Sequence, residues 1–263
     1  METFQVALNK FADLNNVEFK SLFTGIKKKE AAVTQECKGK IDILTNPPAS
    51  VDWQSNKAVG DIRDQGLCGS CWAFSACGAL EGLAAITTKK IPTYSPQQLV
   101  DCAGGPYGNE GCNGGDMDAA FWYVIDNGIT DDSLYPYKEK DQKCIYTSKM
   151  KKFGISDCAE VPANKTVALE SAVYKQPVSI SVEADSLRFQ FYSKGVFSGK
   201  CGTDLDHGIV LTGYGTDSGK DYWRCKNSWG NDWGEKGYIR IEKTDDDGPG
   251  KCGILMDNVV PLI

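Results

Sequence analysis

The chain has one histidine, His207, and eleven cysteines among 263 residues. One thiol stands apart by its surroundings. Cys71 lies within Gln65-Gly66-Leu67-Cys68-Gly69-Ser70-Cys71-Trp72-Ala73-Phe74-Ser75, and Lys226-Asn227-Ser228-Trp229-Gly230 follows much later. A cysteine nucleophile attacks as the thiolate and needs a base that titrates near neutrality, which imidazole supplies. His207 is the one residue available for that task, 136 positions after Cys71, and Asn227 stands 156 positions after it. An amide at Asn227 would orient the imidazole, as the third group does in a catalytic triad. Such a set performs nucleophilic acyl transfer through a covalent intermediate. A predicted helix start at Cys71 and a nearby imidazole both favour ionisation. The expected resting state is a thiolate–imidazolium pair whose titrations belong to the pair.

Two other chemistries are open to these cysteines. Cys68-Gly69-Ser70-Cys71 is formally a redox Cys-x-x-Cys, but such motifs belong to a βαβ pattern. Here a Gln-Gly loop precedes the motif and a helix follows it. A structural zinc needs four ligands, often from two such pairs. Only one pair exists and His207 lies far along the chain, so neither a metal nor any other cofactor is expected. The net charge of −6, with no basic cluster among aromatics, argues against nucleic acid as partner. No run of about 18 apolar residues suggests a membrane span.

The elements that must position these groups fall in two zones. Small and apolar residues Ala73, Ala76, Cys77, Leu80, Leu83 and Ala84 recur at helical spacing and predict a helix from Cys71 to about Thr87, capped by Ser70. Ser95-Pro96 announces a second helix, with proline at its first position. Asp116 to Asn127 predicts a third, with Met117, Phe121, Val124 and Ile125 on one face and Gly128 ending it. Beyond Lys175 the period changes to two. Val178–Ala184, His207–Tyr214, Tyr222–Lys226 and Tyr238–Glu242 read as strands between Gly-rich turns. Helices followed by strands imply an α+β protein with two subdomains.

The segments around Cys71, His207 and Asn227 resemble the papain-like cysteine proteases of the cathepsin L type, over about residues 9–261. The family's Cys signature, with His and Asn some 130–150 residues downstream, is a worked case of general sequence reading. The resemblance implies a papain-like fold, with a mainly helical left half over about 56–157 and a β-barrel-like right half over about 158–260. The active-site cleft lies between them. It implies endopeptidase action, with Cys71 as nucleophile, His207 as general acid and base and Asn227 as its orienter. Gln65 and the backbone N–H of Cys71 form the oxyanion hole, worth about 3–4 kcal/mol per donor, and Trp229 shields the His–Asn bond. The alternative is a catalytically silent papain-fold binding protein.

The resemblance also assigns the N-terminal segment. Asn9-Lys10-Phe11-Ala12-Asp13 looks like part of the family's propeptide motif, with Ala7 where Gly is usual. Residues 1–46 then read as a partial inhibitory propeptide and linker, and 47–263 as the catalytic domain. The linker Lys27 to Lys40 is polar and basic, as a cleavable segment would be. Residues 1–46 carry net charge +1 and the remainder −7. The arm from Asn9 to Phe23 is expected to pack on the domain, with the following chain in the cleft. Acid is expected to release it through Asp13 and Glu18, with processing between about Lys38 and Pro48.

Cysteine spacing leaves connectivity open. The resemblance implies Cys68–Cys112, Cys102–Cys144 and Cys201–Cys252. Of the other four, Cys37 falls in the propeptide-like arm, Cys77 and Cys225 read as buried free thiols and Cys158 is left unassigned, with an extra bridge among the four left open. Gly114-Gly115 resembles the loop that pairs with an extended peptide, and Gly69 leaves room before the scissile bond. The second pocket is expected to be lined by Asp116, Met117, Ser181, Leu205 and Gly208, beside Asp206, with Asp257 at its base. Trp233 would form the leaving-group wall. A carboxylate at Asp257 predicts acceptance of Arg or Lys beside bulky apolar residues. Nine residues between Cys102 and Cys112 leave no place for an exopeptidase's occluding loop. Expected partners are protein and peptide substrates, the protein's own propeptide and cystatin-like inhibitors, with the enzyme a monomer. Met1 to Lys10 lacks signal-peptide character, so the start reads as truncated, and a lysosomal, vacuolar or secreted location follows from the resemblance. Asn164-Lys165-Thr166 is a glycosylation sequon, although Asn164 could equally cap a helix.

Overall fold

The computed structural model describes residues 3–27 and 35–263; Met1, Glu2 and half of the predicted linker, 28–34, lie outside the described residues. In chain order the elements are β1 (Phe4–Val6), α1 (Asn16–Phe23), β2 (Val51–Asp52), α2 (Cys71–Thr88), α3 (Pro96–Cys102), α4 (Met117–Asn127), β3 (Asp157–Glu160) and α5 (Thr166–Lys175). They continue with β4 (Val178–Val182), α6 (Leu187–Gln190), β5 (Tyr192–Phe197), β6 (His207–Asp217), β7 (Lys220–Lys226), β8 (Tyr238–Glu242) and β9 (Asn258–Leu262). The strands form one sheet in the order β1-β5-β8-β7-β6-β4-β9-β3, with β2 paired to β6. The α+β expectation holds.

Helix α2 is central because its surface is made of small residues. Every residue from Cys71 to Ala85 is buried. A Cβ placed on Gly78 would lie 2.5 Å from Cγ2 of Val210, so glycine here lets the helix rest directly on β6. The Ser75 hydroxyl then bonds the Ser179 hydroxyl of β4 and the Ile209 carbonyl of β6, each at 2.6 Å. The helix start is thereby joined to the start of β6. Two apolar clusters flank this seam. One gathers α2 to α4, with Trp72, Leu80, Phe121 and Val124; the other fills the sheet side, with Ile180, Leu211, Trp223 and Ile239.

Local signals set the helix ends. Ser95 accepts from the Gln98 N–H ahead of α3. Asp116 accepts from the N–H groups of Asp118 and Ala119, and Gly128, at φ 82°, ends α4. Ser70 departs from expectation: it makes no side-chain cap, and its hydroxyl meets the Tyr137 hydroxyl at 2.6 Å. Asn164 does not cap α5 either. Lys165 holds that position, while Asn164 is exposed at φ 60°.

The three implied disulfides are present, and two of the four remaining cysteines form a fourth, Cys37–Cys158. Cys71, Cys77 and Cys225 are free and buried. No helix among the described residues is long and apolar enough to cross a membrane.

Candidate active site

Cys71 is the first residue of α2, His207 opens β6, and Asn227 directly follows β7. The antiparallel register that pairs Val210 with Lys226 puts His207 and Asn227 at the same end of neighbouring strands. His207 Nε2 lies 2.8 Å from Oδ1 of Asn227, and Nδ1 has no hydrogen-bond partner. The Trp229 ring stacks on the imidazole, 4.4 Å between centroids at 26°. It covers the His–Asn pair, as expected of a shielding tryptophan.

Gln65 is held from two sides. Its backbone N–H donates to the Ser228 carbonyl at 2.8 Å, and its Oε1 accepts from the Ser228 hydroxyl at 2.7 Å. Nε2 therefore turns toward the cleft, donating to the Cys68 carbonyl at 2.9 Å and to the Phe23 carbonyl at 3.3 Å. Trp229 Nε1 donates to that same Phe23 carbonyl at 3.1 Å. A carbonyl of the N-terminal arm thus occupies the donor that an oxyanion would need.

The arm fills the rest of the cleft. Phe11, Phe19 and Phe23 bury against Trp229, with ring centroids of Phe11 and Phe19 at 5.5 and 5.2 Å from it, and Trp229 meets Trp233 at 5.0 Å. The N–H groups of Gly25 and Ile26 both donate to the Asp206 carbonyl, at 2.8 and 2.9 Å. Gly115 N–H donates to the Gly25 carbonyl at 2.8 Å, and Lys27 N–H to the Gly115 carbonyl at 2.9 Å. The Ile26–Gly115 pairing is parallel. A Cβ on Gly25 would stand 2.2 Å from the Gly69 carbonyl oxygen, so only glycine passes at that point. The arm closes beside Gly114, whose own added Cβ would lie 2.8 Å from the Gly25 carbonyl.

Cations of the arm meet carboxylates of the body: Lys10 with Asp64 at 2.5 Å, Lys20 with Asp185 at 2.7 Å and Asp206 at 3.7 Å, and Lys27 with Glu110. The carboxylates at these contacts belong to the body, not to the arm. Glu18 instead completes the Asn15 capping box of its own helix.

Burial controls the electrostatics. It pushes the Cys71 thiol up to about 12, against the lowering effect of the Gly208, Trp72 and Cys71 N–H groups. It pulls His207 down to about 4, against its bond to Asn227. Burial under the arm therefore works against both charges of the expected thiolate–imidazolium pair. Removing two charges from water costs more than these few dipoles return. Burial also raises Asp206 to about 7, against the Ala184 N–H that its Oδ1 accepts.

Three of the residues expected at the second pocket share a cavity. Asp116, Leu205 and Asp257 line one cavity together with Ile26 and Lys27 of the arm. Ser181 donates to Asp257 Oδ2 at 2.6 Å. A Cβ on Gly208 would lie 3.1 Å from Ile26 Cδ1 and 3.2 Å from the Met117 sulfur, so Gly208 packs against Met117 and against Ile26, which lines that cavity. Sequence reasoning missed Asp118 and Glu160, which line the same cavity, and Ser228, which clamps Gln65. Ser228 sat within the Asn-Ser-Trp-Gly segment and was legible there; Glu160 lies on β3, for which no strand signal was read.

Comparisons with known proteins agree over nearly the whole chain. The family model described as "Papain family cysteine protease" matches residues 47–262. The oryzain beta chain of Oryza sativa subsp. japonica is 47% identical over 255 residues, 96% of this chain and 54% of its own length. Cysteine proteinase RD21A of Arabidopsis thaliana is 44% identical over 263 residues, 99% of this chain and 56% of its own length. The chain thus spans about half the length of these curated relatives. Among solved structures, the proform of the ragweed pollen allergen Amb a 11, a cysteine protease, superposes with a TM-score of 0.91 at 39% identity, covering 100% of this chain and 83% of that one.

Proposed function

Because the chain belongs to the papain family of cysteine proteases, we propose that it is a cysteine endopeptidase held inactive by residues 3–27. The observation that carries this reading is the buried set of Cys71, His207, Asn227 and Gln65 lying under a strand of the chain's own arm. Residues 1–46 act as the inhibitory segment and 47–263 as the catalytic domain, divided at about residue 158.

In the open enzyme the Cys71 proton passes to Nδ1 of His207, the ring nitrogen that Asn227 leaves free. Sγ attacks the substrate carbonyl, and the oxyanion takes the Gln65 amide that Phe23 now occupies. Collapse expels the amine, which receives its proton from His207. Water activated by the same imidazole then hydrolyses the acyl-enzyme. Substrate pairs with Gly115 as an added strand. Its second residue before the cut enters the cavity of Asp116, Met117, Leu205 and Asp257, and its leaving side faces Trp233.

The arm runs the other way, from the Trp229–Trp233 aromatics toward the second pocket. Its peptide bonds are thereby presented in reverse to Cys71, which explains how it fills the cleft without being cut there. Partners are protein and peptide substrates, this arm and cystatin-like inhibitors, with the enzyme acting as a monomer. Four disulfides suit a vacuolar, lysosomal or secreted setting. The test is covalent labelling by an epoxysuccinyl inhibitor after acid processing and thiol treatment. One adduct, located at Cys71 by peptide mass, is expected. A processed, reduced protein that takes up none and hydrolyses no peptide would sink the reading in favour of a silent binding protein.

A further inference from the structure

The fourth disulfide joins the arm to the body. Cys158 lies on β3, is wholly buried and belongs to the catalytic domain, while Cys37 precedes the family match, which begins at residue 47. The chain just after Cys37 is pinned to the body. Lys38 N–H donates to Asp157 Oδ1 at 3.1 Å, Gly39 N–H donates to the Cys158 carbonyl at 2.9 Å, and Ile41 packs against the sheet-side cluster. Asp42, Ile43, Thr45 and Asn46 are exposed and carry no regular secondary structure. They form the accessible stretch that directly precedes the matched domain, and they lie on the far side of Cys37 from the arm.

We propose that cleavage in residues 42–46 does not free the arm, and that release requires reduction of Cys37–Cys158. The proposal rests on the reading of residues 3–27 as inhibitory. After the cut, residues 1 to about 42–46 stay bound through Cys37, ten positions beyond Lys27. A short covalent tether holds a ligand at an effective concentration of about millimolar. A docking segment that would dissociate as a free peptide therefore keeps reoccupying the cleft. The processed enzyme is a two-chain, still-inhibited form.

A thiol or dithiol reductant completes the activation. Its thiolate attacks Sγ of Cys37, the partly exposed member of the pair, and Cys158 leaves as thiolate. A second reductant thiolate resolves the mixed disulfide. Two electrons and two protons enter the protein as two thiols, and the reductant departs as its own disulfide. The arm is then joined to the body by noncovalent contacts alone. The required partner is a thiol-disulfide reductant.

The experiment compares the full wild-type chain with a Cys37→Ser/Cys158→Ser double variant. Both are made in an oxidising compartment and cut at pH 4, by their own activity or by a trace of pepsin. Alkylation of the denatured, unreduced wild type should block three thiols; five would overturn the bridge. On a non-reducing gel the arm fragment should stay with the cut wild-type body and leave the cut double variant. Loss from the wild type, or a mass placing the cut before Cys37, would overturn the proposal. Peptide hydrolysis without reductant should be at least about tenfold lower in the cut wild type than in the cut variant, and equal once dithiothreitol is added to both. Reductant acts on Cys71 alike in both proteins, so the ratio isolates the tether. Equal rates before reduction would show that the tether does not sustain inhibition and would overturn that claim. If neither protein hydrolyses peptide or takes the Cys71 label after reduction, the protease reading fails, while the gel still reports the tether.

Discussion

One imidazole nitrogen is committed to Asn227 and the other is left free, and this division sets the order in which substitutions should hurt. His207→Ala removes the base itself, and no second histidine exists to replace it. It should lower kcat/KM by about 10³-fold or more, as Cys71→Ser should. Asn227→Ala leaves the base but frees the ring, and should cost about 10–100-fold, as loss of an orienting partner does. Steady-state hydrolysis by processed, reduced protein checks the ranking, and near-normal turnover in His207→Ala would refute the assignment. At Asp257 the readout is selectivity. The ratio of kcat/KM for Arg over Leu at the second position before the cut should fall about tenfold in Asp257→Ala, since a charge-assisted bond is lost while the Leu205 wall remains. An unchanged ratio removes Asp257 from specificity. Cys71, His207 and Asn227 were legible because reactive residue types are scarce and their flanking motifs distinctive. Asp118 and Glu160 were not: what makes them pocket residues is the tertiary approach of α4 and β3, and no local pattern records it.

Helix α1 shows how an element can be written in sequence and still be passed over. Asn15 and Glu18 form a reciprocal capping box, an Asn-x-x-Glu signal, yet the helix spans only eight residues and no helix was expected over them. The long, strongly patterned α2 and α4 were legible almost to the residue. Strands β1 and β9 were not, being short or interrupted by Pro261. In α1 the anchoring is apolar. Phe19 is fully buried between Phe11, Phe23 and Trp229, whereas Lys20 stays half exposed beside Asp185. Phe19→Ala should weaken docking of the arm by about 3 kcal/mol, and Lys20→Ala by less than about 1 kcal/mol. Hydrogen exchange of the α1 amides in a Cys71→Ser background measures both. Equal effects would mean that charge, not aromatic burial, holds the arm.

Across the whole molecule, two buried groups pull the response to acid in opposite directions. His207 is depressed from 6.5 to about 4 under the arm, mainly by burial. It supports the covered state above its open-state value, and that support fades as pH falls toward 4, by up to about 3 kcal/mol. Asp206 is raised from 3.8 to about 7, mainly by burial, so its support for the covered state is complete at low pH and is lost as pH rises through 7. The first group favours acid opening and the second resists it. Asp206→Asn should therefore make opening between pH 7 and 4 steeper than in the wild-type sequence, followed by α1 exchange with Cys71→Ser in both. A slope that stays equal or flattens contradicts this balance. Departure of the arm has one further effect, far from the cleft. Strand β1 pairs with β5 at the end of the sheet order, and Ala7 N–H donates to the Phe191 carbonyl. Removing β1 turns β5 into an unprotected edge, whose bare backbone groups are a template for pairing with another chain. Lys194 sits in the middle of that strand, where a charge discourages such pairing. In the activated form proposed above, Lys194 becomes a guard against self-association that has little to do while β1 is in place.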